Sequence, residues 1–273
     1  MSERFADQVV WITGGGSGLG LAMAVEFARQ GAHVAVSGRR VDRLEDAVSL
    51  ISAEGRRGLV VPCDVTDEDQ MAAAARRVYD AFGRVDVVVA NAGFGVSGRV
   101  DALSIEDWRR QFDVNVIGLV ATVKYALPLL RKSRGRLALI GSAAAFFGAP
   151  KAGAYNASKA AVRSIGETLY VELAGTGVTC TTIHPGFVES EIAQVDNQGR
   201  FHADRRDGRP QRLMWPADRA ARVMLRAIYQ RRREVTFTGH GWLIAFLGSH
   251  FPGLTHWLIS LGTRKRNQRM KSE

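Results

Sequence analysis

The chain has 273 residues, of which 46% are apolar and 23% are charged, and this composition excludes a disordered protein and fits one well-buried domain. Its formal net charge is +10. The C-terminal quarter, residues 200–273, holds 16 basic and 5 acidic side chains, so the basic character needs an explanation separate from that of the nearly neutral remainder.

Short apolar runs rich in β-branched residues alternate with longer amphipathic stretches along most of the chain. The runs predict strands at Val9–Thr13, His33–Ser37, Gly58–Pro62, Asp86–Ala90, Arg136–Gly141, Val178–Ile183 and Glu234–Thr238. The stretches predict helices at Gly20–Gln30, Val41–Glu54, Glu68–Phe82, Glu106–Arg131, Gly153–Leu173 and Ala217–Arg231. This alternation predicts βαβ units, and therefore an α/β fold with a doubly wound, Rossmann-type parallel sheet covered by helices on both faces.

The chain divides into a single catalytic domain and a C-terminal extension. We expect the domain to cover residues 1–238, with a polar flap near 189–216, and the apolar and basic extension to cover residues 239–273. Cys63 and Cys180 lie in strand-like runs without metal-ligand spacing, so we expect no metal site, no disulfide and a reducing compartment. The polar N-terminus predicts no signal peptide, and we expect a cytoplasmic protein.

The extension allows two interpretations. Residues 242–261 are strongly apolar, but Gly248 and Pro252 divide them into halves that are too short to span a bilayer. One interpretation is a helical hairpin in the membrane interface, with the cations of 264–271 on anionic headgroups, which gives peripheral membrane contact through residues 241–271. The other is a lid or dimer contact packed on the chain's own domain. Nucleic acid is not an expected partner, because no known binding module is present.

A glycine-rich loop follows the first strand, in the run Thr13-Gly-Gly-Gly-Ser-Gly-Leu-Gly20. Glycine permits a tight turn and close backbone approach, and the N-terminus of the helix that follows favours anions. The pattern therefore predicts a dinucleotide pyrophosphate site, although a tight turn without a ligand would show the same glycines. The predicted contacts are Gly14, Gly16, Ser17, Gly18, Leu19 and Gly20.

The second strand ends in Ser37-Gly-Arg39-Arg40, with no acidic residue at its tip. An acid there would hold the ribose 2′-hydroxyl of NAD, whereas arginine accommodates the 2′-phosphate of NADP. We therefore predict NADP, with Ser37, Arg39 and Arg40 near the adenosine ribose; the alternative is that both arginines are solvated charges at a helix start. Asp64 and Val65 are candidates for adenine contacts, or else part of a helix cap.

Proton-transfer chemistry is indicated by Tyr155 and Lys159, which share one helix face at a spacing of four residues. A neighbouring cation is expected to lower the pKa of the phenol toward the working range. Ser142 follows a predicted strand, as do Asn91, Ala92 and Gly93, and the carboxyl ends of strands are where such sheets bind ligands.

These motifs resemble those of the short-chain dehydrogenase/reductase family, in the family's order and spacing, over residues 5–190. The resemblance implies a seven-stranded sheet, Tyr155 as general acid and base, Lys159 as its partner and ribose ligand, and Ser142 orienting the substrate carbonyl. It also implies that Asn115 holds a relay water. Further implied cofactor contacts are Pro185, Gly186, Val188 and Ser190, which stands where family members usually carry Thr.

The function predicted from these observations is NADP(H)-dependent hydride transfer to or from a carbonyl or alcohol. Phe146, Phe147 and the apolar extension favour an apolar substrate, such as a lipid or steroid-like ketone, and a role in lipid metabolism. The alternative is a catalytically silent NADP(H)-binding sensor or scaffold. The resemblance also implies a homodimer or homotetramer built on the two long helices, Glu106–Arg131 and Gly153–Leu173.

Overall fold

A computed structural model describes residues 3–272, with side chains as far as Arg264. Its centre is a seven-stranded parallel sheet in the order β3-β2-β1-β4-β5-β6-β7. The strands are β1 (Val9–Thr13), β2 (His33–Gly38), β3 (Gly58–Pro62), β4 (Val87–Ala90), β5 (Arg136–Ile140), β6 (Thr179–Pro185) and β7 (Glu234–Phe237). The predicted doubly wound sheet is confirmed.

Nine helices accompany the sheet within residues 3–272. They are α1 (Gly18–Arg29), α2 (Val41–Ala53), α3 (Glu68–Phe82), α4 (Ile105–Phe112), α5 (Gly118–Ser133), α6 (Gly153–Glu172), α7 (Ala217–Tyr229), α8 (Gly239–His250) and α9 (Pro252–Ser272). The helix predicted over Glu106–Arg131 is divided, because a π-helical turn at Asp113–Ile117 separates α4 from α5.

Alternation along β1 shows how the two layers of helices are held. Val10 and Ile12 belong to a core with α1 and α7, whereas Val9 and Trp11 face a second core built with α3, α5 and α6. Successive side chains of a strand point to opposite faces, so a strand with all five residues buried must be covered on both sides. This is why the strands read as unbroken apolar runs.

The segment predicted as a flap, residues 189–216, has short 3-10 turns at Glu191–Gln194 and Gln211–Leu213, an antiparallel bridge between Val195 and Phe201, and a parallel bridge from Trp215 to Val188. Beyond β7, the apolar extension forms α8 and α9, which meet at Phe251. The expected pair of helices is therefore present, whereas the basic side chains beyond Arg264 lie outside the described residues.

Helix α8 packs closely on the domain at two points. A Cβ on Gly248 would lie 2.2 Å from the carbonyl oxygen of Phe146, and one on Gly241 would lie 3.1 Å from the Cα of Gly186. The extension also exposes large apolar side chains, including Trp242 and Trp257, each more than half exposed. The structure thus combines a packed side with an apolar solvent-facing side.

One helical stretch of the described chain, Ile105–Ser133, is long and apolar enough to cross a membrane by length and composition alone. Its buried residues, among them Leu119, Val123 and Leu130, pack in the core beside α3. A core helix passes the same test, so the stretch is weak evidence for a membrane span.

We expect Gly166→Ala to lower the free energy of unfolding by about 2 kcal/mol, because the new Cβ would lie 2.0 Å from Thr182 Oγ1 where α6 meets β6. Urea denaturation measures the effect. Gly239→Ala is the control, since no atom lies within 4 Å of its Cβ position. Equal stability of the two variants would contradict the close approach of helix and strand.

Candidate active site

A cleft of about 690 Å³ opens where the strands end at their carboxyl edge. The loops that follow β1 to β6 line it, together with the flap. Nearly all residues predicted from the sequence are brought together there: Gly14, Gly16, Ser17, Gly18, Leu19, Gly20, Arg39, Arg40, Asp64, Val65, Asn91, Ala92, Gly93, Ser142, Tyr155, Lys159, Pro185, Gly186, Val188 and Ser190.

Two of the predicted site residues, Ser37 and Asn115, lie behind the residues that line the cleft. Ser37 is fully buried, and its hydroxyl accepts a hydrogen bond from the indole nitrogen of Trp11 at 2.7 Å. Its carbonyl accepts hydrogen bonds from the amides of Gly14 and Gly15, so Ser37 supports the glycine loop. Contrary to the prediction, its side chain does not reach the cleft. Asn115 is likewise buried, with 1% of its surface exposed.

The glycine loop is held by Asn91. Its side-chain amide donates to the carbonyls of Thr13 and Gly14 at 3.0 and 3.1 Å. A Cβ on Gly20 would lie 2.1 Å from the Gly14 carbonyl oxygen, so only glycine fits. Ser17 at the start of α1 makes no side-chain capping bond, and the first-turn residues line the cleft. A helix N-terminus presented in this way fits a dinucleotide pyrophosphate.

Arg39 and Arg40, which follow β2, lie beside the glycine loop. Arg40 Nη2 donates to Ser17 Oγ and to Glu191 Oε2, both at 3.0 Å. Arg39 is more exposed, reaching the Gly199 carbonyl at 3.4 Å and lying 3.9 Å from Asp64 Oδ2. Glu191 belongs to the flap, so the flap contacts the arginine pair directly. The sequence pattern had not singled out Glu191.

Ser142 and Tyr155 form the polar centre of the cleft. Ser142 Oγ accepts a hydrogen bond from the Ala144 amide at 3.1 Å, so its hydroxyl proton can be donated elsewhere. Burial raises the pKa of Tyr155 above its usual value, while a hydrogen bond with Ser142 and the charge of Arg209 act in the opposite direction. The expected lowering of this pKa by Lys159 is not found.

Lys159 bonds to the backbone and not to the Tyr155 phenol, although its ammonium lies over the Tyr155 ring. Its Nζ donates to the Ile140 carbonyl at 2.9 Å and lies 5.8 Å from the centroid of the Tyr155 ring. Only 6% of Lys159 is exposed, and burial lowers its pKa to about 8. An ammonium with a weakened proton affinity therefore lies directly beneath the centre of the cleft.

Asn115 occupies the π-helical turn between α4 and α5. Its side chain accepts from the Phe94 amide and donates to the Phe94 carbonyl, both at 3.0 Å, and donates to Ser158 Oγ at 3.1 Å. The amide thereby ties the loop after β4 to α6, and both of its hydrogens are engaged. The relay water that the resemblance implies stays a prediction.

Sequence reasoning missed Arg209. This flap residue forms an ion pair with Asp207 and donates to the carbonyls of Val188 and Ser190 and to the Ser190 hydroxyl. All five guanidinium hydrogens are engaged, so Arg209 fastens the flap to the segment after β6. No local pattern distinguishes it from the other flap arginines.

The sequence patterns also do not indicate a buried set of hydrogen-bonded polar side chains beneath Ser142. His184 is fully buried and lies 2.9 Å from Glu234 Oε1, which also accepts from Arg163 at 2.9 Å. The His184 bond lowers the pKa of Glu234 to about 2, with a smaller effect of Arg163. The Ser142 amide donates to His184 Nδ1 at 3.3 Å.

We expect Lys159→Met to stabilise the protein at pH 7. A lysine pKa of about 8 means that the folded state binds the proton less tightly than the unfolded state, by about 3 kcal/mol. Loss of the Ile140 hydrogen bond offsets roughly 1 kcal/mol, which leaves a gain of about 2 kcal/mol.

The downward direction of the Lys159 pKa shift determines how the stability gain of Lys159→Met varies with pH. The gain is full below pH 8, shrinks as the pH rises from 8 through 10.5, and is lost above that range, where both states of the wild type are neutral. Urea denaturation of the two proteins at pH 7 and pH 10 measures it. A difference that does not change with pH would contradict the buried charge.

The family model described as short chain dehydrogenase matches residues 8–200. An uncharacterised oxidoreductase of Staphylococcus aureus is 35% identical over 192 residues, covering 70% of this chain and 82% of its own. A short-chain dehydrogenase/reductase of Burkholderia phymatum, solved with NAD, superimposes with a TM-score of 0.80 at 30% identity, over 89% of this chain and 93% of that one.

An alcohol dehydrogenase of Thermococcus sibiricus, solved with 5-hydroxy-NADP, superimposes with a TM-score of 0.73 at 28% identity, over 84% of this chain and 95% of that one. The solved neighbours thus include one with NAD and one with an NADP derivative. The sheet order, the glycine loop and these matches agree, and the chain belongs to the short-chain dehydrogenase/reductase family of oxidoreductases.

Proposed function

We propose that this protein transfers a hydride between NADP(H) and a carbonyl or alcohol, with Tyr155, Ser142 and Lys159 as its catalytic residues. The observation that carries the proposal is that Ser142, Tyr155 and Lys159 line the same cleft as the glycine loop. The bound nicotinamide supplies or accepts the hydride.

The chain's own groups handle the proton. In the reducing direction, the Tyr155 phenol donates its proton to the developing alkoxide, and the Ser142 hydroxyl donates a hydrogen bond that holds the carbonyl oxygen in place. The resulting phenolate is stabilised by the charge of Arg209. Lys159, whose Nζ lies 5.8 Å from the centre of the Tyr155 ring, is the proposed ligand of the nicotinamide ribose. Asn115 and Asn91 contribute by positioning α6 and the glycine loop. No observation favours the alternative of a catalytically silent sensor.

NADP is favoured by the charges at the adenosine end. Arg39, Arg40 and Arg43 line the cleft there, and guanidinium groups match phosphate oxygens well. Asp64 follows β3 rather than β2, and it lies 3.9 Å from Arg39. It therefore does not occupy the tip of β2, where an acid would hold the ribose of NAD.

An apolar substrate is favoured by the apolar side chains of the cleft lining, which include Phe94, Ile192 and Val195. The alcohol dehydrogenase neighbour agrees with chemistry at a CH–OH group. We propose a lipid or steroid-like ketone as the substrate class, and a cytoplasmic protein. A homodimer or homotetramer is favoured by the exposed apolar side chains of Ile117, Tyr170 and Val171 on the long helices.

Peripheral membrane contact is the proposed role of the extension. Trp242, Phe251, Trp257 and Leu258 are each about half exposed, and a basic segment follows them in the sequence. An apolar patch of this kind next to cations suits an anionic lipid surface. In this arrangement α8, which packs on Phe146, would stand between the lipid and the cleft.

We expect Tyr155→Phe to bind NADPH normally but to lose turnover by at least about 1,000-fold, because the phenol hydroxyl is the proton donor. Stopped assays with ketones of rising chain length measure turnover, and fluorescence titration measures binding. Tyr170→Phe, on the exposed side of α6, is the control. Turnover of the Tyr155 variant like that of the wild type would overturn the mechanism.

Arg39→Ala is expected to weaken NADPH binding by about 2 kcal/mol, the usual loss for a charge-assisted hydrogen bond, and to leave NADH binding unchanged. Titration with both cofactors measures this preference. Arg29→Ala, which removes a surface pair with Glu54, serves as the control. Equal losses for the two cofactors would argue for NAD or for no discrimination.

Trp257→Glu is expected to lower partition onto phosphatidylserine-containing vesicles about tenfold, because it removes an exposed aromatic side chain that would insert into the lipid interface and adds a charge that the anionic lipid repels. Co-sedimentation measures the bound fraction. Leu50→Glu, at an exposed position of α2, is the control. These point variants are preferable to deletion of residues 241–273, which would also remove the packing of α8 on Phe146. Unchanged partition would refute membrane contact.

A further inference from the structure

The turn that carries Ser142 rests on a buried imidazole. His184 has no exposed surface, and its Nδ1 lies 3.3 Å from the Ser142 amide nitrogen and 3.2 Å from the Ser142 carbonyl oxygen. A Cβ on Gly141 would lie 2.4 Å from this Nδ1, so the glycine is what allows the ring so close. The imidazole thus contacts the backbone on both sides of the Ser142 side chain.

The same ring supports the far end of the segment. Phe146 meets His184 edge to face, with centroids 4.9 Å apart, and Arg163 stacks over Phe146 at 4.6 Å. Ser142 and Phe146 bracket the 3-10 turn Ala143–Phe146. His184 therefore holds both ends of the turn that follows β5.

Glu234 selects which ring nitrogen carries the proton. The carboxylate accepts from Nε2 at 2.9 Å, and it is held in place by Arg163 and by Arg233 at 3.5 Å. With the proton on Nε2, Nδ1 presents a lone pair, which accepts the Ser142 amide hydrogen. The opposite tautomer would instead donate to the Ser142 carbonyl, and it would give up both the Ser142 amide and the bond to Glu234.

We propose that His184 and Glu234 are positioning residues, which hold the Ser142 hydroxyl at the reacting carbonyl through the Ser142 backbone. This inference rests on the proposed function. Neither residue touches the cleft, so both act only through Ser142. A displacement of about 1 Å at a substrate-orienting group is enough to cost on the order of 100-fold in rate.

Two near-isosteric variants separate the two ring nitrogens. In His184→Asn, the side-chain oxygen replaces Nδ1 as acceptor for the Ser142 amide, while contact with Glu234 is lost. In His184→Gln, the side-chain nitrogen replaces Nε2 as donor to Glu234, while the acceptor for Ser142 is lost. We expect kcat to stay within about fivefold of wild type for Asn and to fall about 10- to 100-fold for Gln. The NADPH dissociation constant is expected to change less than twofold in both.

Gly166→Ala is the control for a general loss of stability, because it strains β6 at Thr182 without touching Ser142. A general loss of stability would lower kcat in all three variants in proportion to their unfolding free energies, and this result would overturn the proposal. So would equal kcat values for Asn and Gln.

Crystal structures of both His184 variants give a readout that needs no turnover. We expect Ser142 Oγ to move by about 1 Å in the Gln variant and to stay in place in the Asn variant. If the wild type reduces no carbonyl, the proposed function fails while this displacement still tests the positioning role. An unmoved Ser142 in the Gln variant would refute it.

Discussion

Every strand of this sheet runs in the same direction, and the rest of the structure depends on that constraint. A parallel strand can reach its neighbour only by a crossover that returns over one face, so both faces are covered by helices. All carboxyl ends of the strands then lie at one edge of the sheet, so the six loops that follow β1 to β6 meet there. The cleft is a consequence of strand direction, and the individual loops decide what it can bind.

Burying the polar groups of the cleft costs free energy, and residues behind the cleft hold these groups in place through hydrogen bonds. Lys159 keeps a charge at a site that is 6% exposed, and burial shifts its pKa accordingly. Asn91, Asn115 and His184 face backbone groups of the loops and do not leave them unpaired. A substrate-facing hydroxyl such as Ser142 is therefore placed by residues that never meet the substrate.

Local patterns in the sequence were enough to predict the strands, the glycine loop and the face shared by Tyr155 and Lys159, because these depend on residues close together in the chain. The contacts that support them are distant. His184 and Glu234 are 50 residues apart, and Arg40 and Glu191 are 151 apart, so no periodicity could pair them. Ser37 was misplaced for a related reason: its burial depends on Trp11 in the neighbouring strand. The π-helical turn at Asn115 likewise has no signal in the apolar pattern.

The contact of Arg40 with Glu191 has a consequence for how the cleft responds to ionic conditions. The guanidinium is already neutralised by a carboxylate of the flap, and Ser17 lies on its other side. An anion arriving there enters by exchange, and it releases a tethered acid instead of a dissolved counterion. Affinity at this position should then depend less on salt concentration than at a bare pair of arginines.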